Sequence, residues 1–275
     1  MSPSLQIGPL VLPAPLLLAF GAAGIGIFIG KWAGRKAGVD VKPHVVRVLL
    51  LAVILARLTF VWQYKNAYFE SPLDILDIRD GGWDVQSGVI AAWLYMLVLI
   101  GGQSVLRKPL LAAVGASSAV WIVGSIGLLL IPQDETRLPA IALPTFNGAT
   151  TSLTSFEGKP TVVNLWATWC PPCQREMPAL QRAQADHPEL HFVFLNQGES
   201  SEKVQRFLTS RNLTLRNVLL DPKGQAGAQF GQSALPTTLF FDAQGHLVDQ
   251  RIGELSHVTL TQRLAALLSV STSKP

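Results

Sequence analysis

Trp166-Ala167-Thr168-Trp169-Cys170-Pro171-Pro172-Cys173 decides how the second half of this chain is read. An apolar run, Thr161-Val162-Val163-Asn164-Leu165, precedes it and predicts a buried strand. An amphipathic segment over 176–185 follows and predicts a helix. The cysteines therefore fall where a strand gives way to a helix N-terminus. Unpaired backbone N–H groups and the positive end of the helix dipole favour a thiolate there, and the thiolate is the nucleophile of disulfide exchange. The two-residue spacing lets the second thiol reach a mixed disulfide formed by the first. Cys170 and Cys173 are the only cysteines of the chain. Zinc would need four ligands, and His187 and His191 do not complete a usual spacing. A purely structural bridge would close too short a loop to constrain the unfolded chain much. The reading is a redox-active dithiol that needs neither metal nor organic cofactor.

The rest of the composition points to a membrane. Of 275 residues, 49% are hydrophobic and only 15% charged. The apolar excess lies before residue 132, in stretches over 9–30, 45–62, 85–101 and 110–131, each near the roughly 20 residues that cross a bilayer. The first lacks a basic leading segment and is followed by three more, so it reads as a retained helix rather than a signal peptide. No cysteine near the N-terminus offers a lipidation site. The first loop carries Lys31, Arg35, Lys36 and Lys42, and the third carries Arg107 and Lys108. The second carries Glu70, Asp74, Asp77, Asp80 and Asp84 against Lys65 and Arg79. By the positive-inside rule, loops one and three are cytoplasmic and both termini lie outside, in the bacterial periplasm, an oxidising compartment. No basic block with interleaved aromatics suggests nucleic-acid binding. The expected layout is a four-helix transmembrane domain over 1–131 in contact with the lipid bilayer, a linker over 132–137, a soluble domain over 138–270 and a tail over 271–275. Arg57, inside the second span, has two readings: it snorkels to the outer interface marked by Trp62 and Tyr64, or it pairs with an acid such as Asp80.

Ala56-Arg57-Leu58 through Tyr64, then Pro72-Leu73, then Asp80-Gly81-Gly82-Trp83-Asp84-Val85-Gln86-Ser87-Gly88-Val89-Ile90 resembles the early part of prolipoprotein diacylglyceryl transferase. That family has His-Gly-Gly where Gln86, Ser87 and Gly88 stand here, and its later arginine-containing helices have no counterpart. The resemblance, over roughly residues 10–110, implies a borrowed membrane scaffold without transferase activity.

In the soluble half, 138–160 predicts a small β-hairpin with Phe146, Leu153 and Phe156 in the core. Strands over 190–196 and 218–220 alternate with helices over 200–211, capped by Ser200 or Ser201, and 225–230. A hairpin over 237–242 and 246–252 and a helix over 256–268 close the chain. Such alternation predicts an α/β sandwich. Leu235-Pro236-Thr237-Thr238 opens a strand with proline, where a cis bond would bring the backbone of Leu235 beside the dithiol.

With these pieces, residues 138–270 resemble the thioredoxin superfamily, in particular the membrane-anchored TlpA/ResA-like thiol-disulfide oxidoreductases. The match rests on the Trp166–Cys173 motif, Glu176, Pro178, Asn196-Gln197-Gly198-Glu199-Ser200 and Leu235-Pro236-Thr237-Thr238. The resemblance implies a mixed sheet flanked by helices, Cys170 as the exposed attacking thiol, Cys173 as the resolving thiol and Pro236 as a cis-proline. It implies client contacts at Trp169, Pro171, Pro172, Leu235 and Thr237, and acidic residues beside the dithiol at Glu176 and Glu199. Glu176 could merely favour the helix N-terminus but reads better as a proton acceptor. For Glu199, proton handling and a solvated loop position stay open. The implied partners are protein disulfide clients and a membrane electron donor of the DsbD-like kind, in a setting such as cytochrome c maturation. The function expected is disulfide reduction. The rivals are a lipid-modifying transferase in the membrane half and a redox-sensing, chaperone-like binding module. A peroxidase is a weaker rival: Thr168 precedes Cys170 as in such enzymes, but Pro-Pro-Cys points to dithiol exchange.

The charge pattern makes a direct prediction about topology. Reporter fusions after residue 36 and after residue 275 should report opposite sides of the membrane, and both on one side would break the four-span reading.

Overall fold

The computed structural model describes residues 4–7, 10–70, 75, 82–102, 104–130, 136–146, 148–232 and 234–272. The chain divides into two compact units, Ser2–Pro132 and Gln133–Pro275.

The first unit is helical after a short antiparallel pair, β1 (Ser4–Ile7) and β2 (Leu10–Pro13). This pair corrects the expected start of the first span: the helix α1 runs Ala14–Lys36. Pro15 sits in its first turn, where a missing N–H costs nothing. Then come α2 (Lys42–Gln63), the short α3 (Lys65–Glu70), α4 (Val85–Gly102) and α5 (Arg107–Leu130). Helices α1, α2, α4 and α5 are long and apolar enough to cross a membrane. Phe20, Phe28, Trp62, Val98 and Leu129 stand on their outer surface, as side chains facing acyl chains should. Inside, small residues let helices approach. A Cβ on Gly26 would collide with Ser117, whose Oγ donates to the Ala22 carbonyl at 2.9 Å. Gly88, in the segment that resembles the transferase, lies against the backbone of Ala52, leaving a new Cβ only 2.9 Å from its oxygen.

Arg57 does not snorkel: it is 8% exposed. Its Nη1 donates to the Gly82 carbonyl at 2.8 Å, and Nε and Nη2 donate to the Ile75 carbonyl at 3.3 and 3.1 Å. The rings of Phe60, Tyr68 and Trp83 lie within 6.0 Å of its guanidinium. Desolvated cations of this kind are stabilised by carbonyl dipoles and aromatic faces. Asp80, Pro72-Leu73, Gly81 and linker residues 132–135 lie outside the described residues.

The second unit begins with the antiparallel pair β3 (Ala142–Pro144) and β4 (Thr150–Ser152) and a single 3-10 turn, Leu153–Phe156. Leu153 and Phe156 are buried, while Phe146 is half-buried against the core. The sheet follows: β5 (Thr161–Trp166), β6 (His191–Gln197), β7 (Val218–Asp221), β8 (Thr237–Phe241) and β9 (Leu247–Ile252). Its order is β7-β6-β5-β8-β9, with β5, β6 and β7 parallel, β8 antiparallel to β5, and β9 antiparallel to β8. The helices are α6 (Pro171–Asp186), α7 (Ser201–Ser210), α8 (Gln225–Gln229) and α9 (His257–Thr272). Ser200 is the N-cap of α7 by position. Helix α9 runs four residues beyond the expected end at 268, because Ser269 to Thr272 include no breaker; residues 273–275 of the expected tail lie outside the described residues.

Period-two alternation sorts the strands between two cores. Val162 and Trp166, Phe192 and Phe194, and Phe240 face a cluster completed by α6, α7 and α9. Val163 and Leu165, Val193 and Leu195, and Leu239 and Phe241 face one completed by Leu143, Leu153, Ala226 and Phe230. Both cores are closed within the second unit. The arrangement is the thioredoxin-like α/β fold, here following a membrane-type unit that is helical from residue 14 on.

Candidate active site

Helix α6 starts at the C-terminal end of β5, whose six residues are all buried. Cys170 is its N-cap, and Pro171 and Pro172 fill the first helical positions. Neither proline has an N–H, so the first helix donor is the amide of Cys173, which donates to Cys170 Sγ at 3.3 Å. Cys170 and Cys173 are joined, with an S–S distance of 2.09 Å.

The exposure of the motif departs from expectation at one point. Cys170 is only 3% exposed, nearly as buried as Cys173, because in the oxidised pair its sulfur packs into the core under α6. The accessible surface comes from its neighbours: Trp169 is 63% exposed and Pro171 is exposed, with Pro172 half-buried. The Leu235–Pro236 peptide bond is cis. Pro236 is buried, its carbonyl accepting from Gly253 N at 2.9 Å, and Leu235 is half-buried. Thr237, expected at the client surface, has a fully buried side chain whose Oγ1 donates to the Ala234 carbonyl at 2.7 Å. It closes the turn, and its side chain is withdrawn from any client.

Glu176 lies one turn after Cys173 on the inner face of α6 and is 1% exposed. Asn164 Nδ2 donates to its Oε1 at 2.8 Å, and Leu255 N donates to its Oε2 at 3.0 Å. Asn164 also donates to Thr238 Oγ1 at 3.0 Å, its direct neighbour across β5 and β8. Burial pushes the carboxyl up to about 8, against the opposing pull of the Leu255 and Asn164 hydrogen bonds. At neutral pH the group is mostly protonated. A mere dipole-favouring glutamate would stay solvated.

Glu199 sits just after β6 and is 7% exposed, so it is no solvated loop residue. Thr168 N, Thr168 Oγ1, Asn196 Nδ2 and Lys203 Nζ donate to it at 2.6–2.8 Å. Burial alone would raise its carboxyl, but Lys203, Thr168 and Asn196 together hold it below the usual range. A carboxylate so fully engaged is an ionised anchor. It ties the loop carrying Trp169 and Cys170 to the next βα loop, and Gln174 Nε2 adds a bond to the Thr168 carbonyl at 2.7 Å.

Sequence reasoning missed Asn164, Arg175 and Glu254, and gave Thr238 no role beyond its place in the Leu235–Thr238 motif. The first had a signal: one amide inside an otherwise apolar strand. Arg175 and Glu254 form a bidentate ion pair, Nε lying 2.9 and 3.0 Å from the two carboxylate oxygens. Nothing local marks it, because its members are 79 residues apart.

Comparison with known proteins finds likeness in both halves of the chain. Residues 135–250 match the family model described as AhpC/TSA family, and residues 5–127 match that of prolipoprotein diacylglyceryl transferase. The chain is 35% identical over 136 residues to the thioredoxin-like protein YneN of Bacillus subtilis, covering 48% of this chain and 79% of that one. It is 30% identical over 147 residues to the thiol:disulfide interchange protein DsbE of Pseudomonas fluorescens, covering 51% and 82%. Among solved structures, MTB dsbF in mixed oxidised and reduced forms aligns over 46% of this chain and 95% of its own, at 33% identity and a TM-score of 0.43.

Burial of Glu176 gives a signed pH dependence. Its value rises from 4.5 free to about 8 folded. Between those pH values the folded protein holds a proton that the unfolded chain has released, so stability is full below the lower value and falls as pH rises through the higher one. In urea unfolding of oxidised residues 133–275, Glu176→Gln should gain stability relative to wild type between pH 5 and pH 8. An equal difference at both pH values would contradict the assignment.

Proposed function

The chain belongs to the thioredoxin-like thiol-disulfide oxidoreductases, and from that membership we propose that it is a membrane-anchored reductase of protein disulfides working on the periplasmic side. The observation that carries the mechanism is a disulfide at the N-terminus of α6 with a buried, proton-holding Glu176 one turn behind it.

In the reduced protein, the Cys170 thiolate attacks one sulfur of a client disulfide. A Cys170–client bond forms, and the client's other sulfur leaves as a thiolate and takes up a proton. Cys173 gives its proton to Glu176, left ionised when the preceding reduction of the disulfide took its stored proton, and attacks Cys170 Sγ. The Cys170–Cys173 bond forms, and the second client thiolate leaves and is protonated. The client has gained two electrons and two protons, and the enzyme is oxidised. In return, a dithiol donor opens the disulfide, and Glu176 supplies its stored proton to Cys173 as that sulfur leaves.

Trp169, Pro171 and Leu235 form the client-facing surface, with Pro172 at its edge. The backbone before Pro236 is offered to an extended client segment. Glu199 positions the Cys170 loop rather than moving protons. The donor is a membrane dithiol protein of the DsbD-like kind. The first unit is the anchor. Gln86 in the place of the transferase family's histidine speaks against lipid transfer, although residues 5–127 match that family.

Cys173→Ser should accumulate covalent client complexes that vanish on reduction, and Cys170→Ser should give neither complexes nor turnover. Glu176→Gln should keep the complexes trapped by Cys173→Ser while slowing turnover by on the order of a hundredfold. Trapping by Cys170→Ser alone would overturn the assignment of roles.

A further inference from the structure

Three consecutive residues between β9 and α9 each hold a different part of the site. Gly253 N donates to the Pro236 carbonyl at 2.9 Å. Glu254 is gripped by Arg175, the residue preceding Glu176 on α6. Leu255 N donates to Glu176 Oε2 at 3.0 Å. The segment thus straps the client-side proline to the buried carboxyl, and its only charged member is fastened by a two-pronged ion pair to the helix that carries the dithiol.

We propose that Arg175 and Glu254 are positioning residues for the proton step: their ion pair fixes segment 253–255, and with it the Leu255 N–H that caps Glu176. The proposal rests on the role given to Glu176 above and adds what sets its proton affinity. The charged groups facing Glu176 are Glu254 from the strap, whose charge raises its carboxyl, and Arg251 from β9, which lowers it. From β5 and β8, the neutral Asn164 and Thr238 meet it directly or through one hydrogen bond. Cys173, on its own helix, is disulfide-bonded here. Arg175 neutralises Glu254 from outside, with its side chain 52% exposed.

The two partners therefore act in opposite directions. Arg175→Met leaves the Glu254 charge unopposed and loosens the Leu255 cap, and both effects favour protonated Glu176. Glu254→Gln keeps an oxygen for Arg175 to grip but removes the charge, which favours ionised Glu176.

The test is an infrared pH titration of the oxidised full-length chain in detergent. It follows the protonated-carboxyl band that disappears in Glu176→Gln. This readout needs no client, so a failure of reductase activity would leave it intact. Relative to wild type, the midpoint should rise by roughly half a unit or more in Arg175→Met and fall by a similar amount in Glu254→Gln. Arg175→Lys, which keeps the charge without the two-pronged grip, should lie between wild type and Arg175→Met, and serves if the methionine variant fails to fold. Unmoved midpoints, or shifts of the same sign in the Arg175 and Glu254 variants, would overturn the proposal.

Discussion

Burying Glu176 between α6 and the sheet is costly unless the carboxyl is neutral or hydrogen-bonded. The chain meets both conditions with groups drawn from several elements. Asn164 comes from the central strand, oriented by Thr238 on its neighbour, and Leu255 N comes from the segment after β9. The same segment holds the carbonyl of the cis proline. The client turn and the proton store are therefore joined by hydrogen bonds through segment 253–255, and α6 carries the dithiol one turn before Glu176. This linkage explains why polar residues interrupt a sheet face otherwise filled by Val162, Trp166, Phe194 and Phe240.

Two other buried charges are handled by a different physical route. Glu199 is kept ionised by four donors and serves to fix the Cys170 loop. Arg57, in the membrane-type unit, is desolvated among rings and carbonyls. Each fastens a loop to a helix or strand end. Glu176 differs because its surroundings supply few donors, and that shortage makes it able to carry a proton.

Much of this was legible in the sequence. The strand–CxxC–helix junction, the proline-led strand and the alternation of strands and helices follow from local patterns, as do the four long apolar helices. The failures were of other kinds. The near-complete burial of Cys170 depends on how its oxidised sulfur packs, which no local pattern encodes. Thr237 turned inward because its hydroxyl closes the Ala234 turn. Glu199 stayed open between proton handling and a solvated loop position because its donors come from separate segments. The Arg175–Glu254 pair and the Leu255 cap join positions 79 residues apart. They become neighbours only when β9 closes the sheet.

The central claim is that this dithiol donates electrons to clients. The helix N-terminus favours the Cys170 thiolate, but the buried carboxyl behind Cys173 gives a second thiolate little stabilisation, and a reduced form stabilised at one sulfur only makes a reducing couple. The most direct test is the equilibrium reduction potential of Cys170–Cys173 in residues 133–275, measured against glutathione. The account predicts a value near the reducing end of the thiol-disulfide range, closer to about −270 mV than to the about −120 mV of strong oxidants. A value at the oxidising end would contradict it.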